Sequence, residues 1–100
     1  MSRHKNSEIL WGELNSQTAR IHWPELQRYF AKGLVVSVAP DLDLVEVAVK
    51  LVQDDAGGIE PMIAEGQIVR ATDDHARRWV DRDPELWAVV VAPWVLVQER

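Results

Sequence analysis

Residues 86–97, LWAVVVAPWVLV, run for twelve positions without a charge or a side-chain amide, broken only by Pro93. A helix that crosses a bilayer needs about 20 apolar residues. Pro93 interrupts this run after seven, because it lacks a backbone donor and clashes with the preceding helical turn. The run therefore reads as β structure. Extended through residue 100 at roughly 3.3 Å per residue it would reach about 50 Å, more than a domain of this size is wide, so it has to bend. The bend or bulge belongs at Pro93, between strands at 86–92 and 94–99. Trp87, Val89 and Val91 alternate with Ala88, Val90 and Ala92, and Val95 and Val97 oppose Trp94 and Leu96. Neither face is polar, which is the pattern of a central strand covered on both sides.

Upstream, helical and extended patterns alternate. Ile9, Leu10, Glu13, Leu14 and Gln17 fall at helical spacing behind Ser7, predicting a helix over about 8–17 with Ser7 as its cap. WPELQRYFAKG is the clearest helix, with Pro24 and Glu25 in its first turn and Gly33 as its left-handed C-terminal residue. LVVSVA at 34–39 reads as a strand. In DLDLVEVAVKLVQDD the valines favour a strand, but Asp43, Glu46, Lys50, Gln53 and Asp54 recur at steps near three and four, which makes a buried helix with one polar stripe, capped by Asp41. A short helix carrying Ile59, Met62 and Ile63 follows, with Pro61 tolerable only in the first turn and Gly66 ending it. QIVRA is a further strand. Thr72 caps DDHARRWV, with Ala76, Trp79 and Val80 facing inward, and Asp83-Pro84 breaks it.

These elements predict an α+β fold: a small mixed or antiparallel sheet of three or four strands, with four or five helices packed mainly on one face. One hundred residues suit a single domain, here 7–100 behind a flexible tail at 1–6, and bury roughly 65 % of the unfolded surface. With helices on one face only, the second cover for the closing run has to come from another chain. Trp87, Pro93, Trp94, Leu96 and Gln98 are the candidate interface, with a homodimer or an unknown protein as the partner. The competing reading of the five tryptophans is a shared aromatic core.

The net charge of −5 is unevenly spread. Five Lys/Arg stand against three Asp/Glu in residues 1–33, one against seven in 34–66 and five against six in 67–100. A phosphate backbone would be repelled by the acidic middle third, so nucleic acid is not expected as a partner. MSRHKNSEIL has no apolar stretch of signal-peptide length, and the expected location is the cytoplasm. There is no cysteine, which excludes disulfides and thiolate metal sites.

IHWPELQRYFAKG, PDLDLVEVAVKLVQDD, Trp79 and VVVAPWVLVQE together resemble a family of small bacterial proteins known as domain of unknown function twenty-two eighty-eight. ELxRYFAxG and PWVLVQ are the most specific parts of that resemblance. It implies a small bacterial cytoplasmic protein and brings no activity, substrate or catalytic residue with it.

Recognised catalytic motifs are missing: no G-x-S-x-G, no phosphate loop, no G-x-G-x-x-G and no H-E-x-x-H. Asp54-Asp55, Asp73-Asp74-His75 and His22 are the residues that would have to converge on a metal, yet both acidic pairs already suit helix starts. No catalytic residue, metal or cofactor is assigned, and enzymatic activity is left open. Two functional readings follow. The first is a protein-interaction or self-associating module without catalysis. The alternative is a small-molecule binder or an enzyme, metal-assisted or not, with a pocket formed by His22, Trp23 and Trp79.

Overall fold

A computed structural model describes residues 3–99. The elements follow in the order α1 (Arg3–Gln17), β1 (Ala19–Ile21), α2 (Trp23–Ala31), β2 (Val35–Val38), α3 (Leu44–Val52), α4 (Ala56–Ala64), β3 (Ile68–Arg70), α5 (Asp73–Arg82), β4 (Leu86–Val91) and β5 (Trp94–Glu99). The strands form one mixed sheet, ordered β1-β4-β5-β2-β3. Only β2 and β5 run parallel; the other neighbours are antiparallel. The fold is α+β, with one strand more than the three or four expected. That strand is β1, three residues of which two are exposed, too short and polar to stand out. It forms by pairing with Leu86–Ala88.

The closing run is a hairpin. β4 and β5 pair from Leu86↔Glu99 to Val91↔Trp94, and Ala92 and Pro93, joined by a cis peptide, make the turn. The chain thus reverses at Pro93 instead of bending, in the turn class that places a cis proline third. β5 lies at the centre of the sheet, as its two apolar faces require.

Both covers come from the same chain. On one face Leu96 and Val89 pack with Leu14 of α1, Leu44 and Val47 of α3, and Ile59 of α4. On the other, Val95 and Val97 pack with Leu26 of α2 and Trp79 of α5. The expectation of helices mainly on one face, with a partner supplying the second layer, is corrected: α2 and α5 are that layer. Helical periodicity identifies the apolar stripe of a helix but not the side of the sheet it meets.

Local corrections have local causes. α1 begins at Arg3, so Ser7 lies inside it rather than before its first turn; of the expected tail, residues 1 and 2 lie outside the described residues. The cap of α3 is Asp43 and not Asp41: its Oδ1 accepts from the N–H groups of Val45 and Glu46 at 3.0 and 3.3 Å. Pro61 sits in the second turn of α4, where the carbonyl it leaves without a donor belongs to exposed Gly57. Val80 is 56 % exposed, because the inward stripe of α5 runs through His75, Ala76 and Trp79 instead. Gln98, wholly buried in β5, donates both amide hydrogens of Nε2 to the carbonyls of Ala39 and Leu42, at 2.8 and 2.6 Å, and so pins the loop between β2 and α3.

Candidate functional site

Two surfaces stand out. The first is an apolar groove of about 480 Å³ at the β3 edge of the sheet, on the face covered by α3 and α4. Leu51, Ile59, Ile63 and Ile68 form its walls with Val36, and Trp94 closes one side. α4 reaches the sheet through Ile59, which is buried, while Ile63 one turn later remains 53 % exposed. Trp94 is half-buried, and the Arg70 guanidinium lies 5.2 Å from the centre of its ring. Arg70 makes no ion pair among the described residues, so its charge is held at the groove by the indole face alone.

The second surface is a polar cleft of about 190 Å³ beside the C-terminal ends of β2 and β5, lined by Ser37, Gln67, His75, Arg78 and Glu99. It lies where the one parallel pair of the sheet ends. Glu99, the last residue of β5, accepts Nε and Nη2 of Arg78 on its Oε1 at 2.9 and 2.7 Å, and the same oxygen accepts Nε1 of Trp79. Burial raises the Glu99 pKa, but the Arg78 and Trp79 hydrogen bonds and the Arg78 charge outweigh it, so the net shift is downward and the group is a carboxylate at neutral pH. His75 shifts downward as well, through burial first and the Arg78 charge second, against smaller opposing effects of Glu99 and Asp74. Its Nδ1 accepts the Thr72 backbone N–H at 3.0 Å in the capping box of α5, which leaves the proton of the neutral ring on Nε2.

The residues singled out in the sequence are dispersed. His22 Nδ1 lies 3.3 Å from Oδ1 of Asp83 at the surface. Trp23 and Trp79 do meet, ring centres 6.2 Å apart, with Trp79 inside the core and the half-buried Trp23 packed against it. Leu96 and Gln98 are wholly buried within the chain and are closed to any partner, whereas Trp87, Pro93 and Trp94 keep exposed surface. Trp87, with the Arg20 guanidinium 4.9 Å from its ring centre, lines a third cleft of about 540 Å³ with Trp11 and Asp41. Asp55 caps α4 through the Gly58 N–H, and Asp73 and Asp74 occupy the first turn of α5. Among the described residues no group of three or more His, Asp or Glu is placed to hold a metal ion. No helix among them is long and apolar enough to cross a membrane. The Arg78–Glu99 pair and the Ile63–Arg70 rim carry no sequence motif. The one available signal was a carboxylate at the end of a largely apolar strand, at Glu99.

Fold and surfaces together define a class: a small α+β protein whose mixed sheet lies between two helical layers. The chain belongs to the family described as Protein of unknown function (DUF2288), whose model matches residues 9–99. It is also similar to the NMR solution structure of PA1075 from Pseudomonas aeruginosa, at 42 % sequence identity and a TM-score of 0.81, over 100 % of this chain and 93 % of that one. No curated protein matches the chain.

Proposed function

We propose that this protein is a non-catalytic self-associating module, and that two copies meet through the groove at α4, β3 and Trp94. The observation that carries the reading is that the groove is apolar within and has one charged residue, Arg70, on its lining. Arg70 stands over Trp94 on the strand side, and the exposed Glu60 lies on α4, next to the groove-lining Ile59. In a two-fold pairing, residue i of one copy meets residue j of the other and the reverse. Ile63 of each copy then enters the groove of its partner, and each Arg70 faces the acidic helix opposite it. The outer edge of β3, the last strand of the sheet, extends the same surface.

Sedimentation across a dilution series tests this. The expected result is a dimer that dissociates on dilution, is lost in Ile63→Asp, and is weakened at least about tenfold by Arg70→Glu, equivalent to roughly 1.4 kcal/mol. Adding Glu60→Arg to the Arg70→Glu chain restores association, because the charges are exchanged and not removed. A monomer at every concentration overturns the proposal, and so does an Ile63→Asp chain that dimerises unchanged.

A further inference from the structure

We propose that the cleft at the C-terminal ends of β2 and β5 binds the head group of a small zwitterion, an amino-acid-like molecule with an ammonium and a carboxylate on neighbouring positions. The two charges of the cleft sit side by side, and each is only partly used by the protein. Glu99 accepts all three of its hydrogen bonds on Oε1, and Oε2 has no partner among the described residues. Arg78 donates through Nε and Nη2, and its Nη1 makes no hydrogen bond among the described residues. His75 is held by Thr72 at Nδ1, which leaves Nε2–H as a further donor on the cleft wall.

These vacant positions are complementary to one kind of ligand. An ammonium suits Glu99 Oε2, and a carboxylate suits Arg78 Nη1 with the neutral His75 donor. A lone anion would be repelled by Glu99 and a lone cation by Arg78, whereas a molecule carrying both charges meets an opposite charge at each end. Size narrows the class further. At about 190 Å³ the cleft lies below the roughly 300 Å³ at which pockets for drug-sized ligands begin, a size that suits an amino-acid-sized molecule. Ser37 and Gln67 add neutral polar groups, and the Gln98 amide on the opposite face of β5 fixes the Ala39–Leu42 loop that rims the cleft.

The test is an NMR titration of the full chain with glycine, using methylammonium and acetate as half-molecule controls and following the His75 ring and the Thr72 amide. Glycine is expected to give saturable shifts at both, with each half-molecule bound at least about tenfold more weakly. Glu99→Gln keeps an acceptor for Arg78 and Trp79 but removes the charge facing the ammonium, and should weaken glycine by at least about tenfold. If that chain does not fold, Arg78→Lys, which keeps the charge and loses the guanidinium fork, serves in its place with the same expected weakening. The proposal is overturned if glycine gives no saturable shift, if acetate alone matches it, or if the folded variant binds glycine unchanged.

Discussion

The two faces of the central sheet are closed in different ways. Under α2 and α5 the largest side chain, Trp79, is wholly buried between Leu26, Val95 and Val97, and its indole N–H is anchored on Glu99. Under α1, α3 and α4 the core is larger, but its indole at the β3 end, Trp94, lies at the margin of the layer and remains half-covered beside exposed Ile63. An indole inside a layer seals it, and one at the rim leaves an opening. The sharpest way to break this comparison is to truncate both. Trp79→Ala should cost about 3–5 kcal/mol of stability, as large-to-small core changes do. Trp94→Ala should cost only about 1 kcal/mol and act instead on association, which sedimentation reads. Urea unfolding of the two variants decides the matter: equal losses would mean that the groove side is sealed as firmly as the other.

Gln98 tests what ties the faces together. It is the one buried polar side chain among the described residues, and it serves the loop that rims the polar cleft. Gln98→Leu keeps most of the volume and removes both donors. The Ala39 carbonyl then keeps only the Leu42 N–H, at 3.1 Å, and the Leu42 carbonyl loses its Gln98 donor; a carbonyl left unpaired costs about 1–3 kcal/mol to the extent that water cannot reach it. A Gln98→Leu chain with an unchanged urea midpoint would show that the loop is held by packing alone.

What could be read in the sequence follows from how far apart the interacting residues lie. α3 declared itself through a polar stripe confined to one helix, and Gly33 and Gly66, at φ of 72° and 75°, marked the ends of α2 and α4. The two apolar faces of β5 also foretold its central place in the sheet. The layer that covers its second face did not show, because the stripes of α2 and α5 are the same whichever side they meet. The groove was half-visible: Trp94 stood out, but Ile63 and Arg70 reach it from another helix and strand. The polar cleft was hidden, since Arg78 and Glu99 are 21 residues apart and each has an ordinary explanation alone, as a charge on a helix and as the end of a strand.

The smallest expected effect separates the two regions by pH. The groove is lined by apolar groups and an arginine, whereas the cleft holds His75 and Glu99, both with pKa values lowered by folding. A histidine held neutral in the fold contributes stability that is present above its unfolded value, near 6.5, and lost as pH falls below it through the folded value. Protonation there also breaks the Nδ1 bond to Thr72. A carboxylate lowered in the fold contributes in the same direction but in a lower window: its stabilisation is complete above about 4.5 and lost as pH falls from there through the folded value. Acidification should therefore weaken the protein in two stages, with Arg78, Glu99 and Asp74 modulating the first and Arg78, Trp79 and His75 the second. Urea midpoints measured between neutral and acid pH resolve them. His75→Gln should flatten the upper stage, and Glu99→Gln should flatten the lower. Trp94→Ala, at the groove, should leave both stages in place; if it alters either, the two regions are coupled through the Gln98-pinned loop and do not act separately.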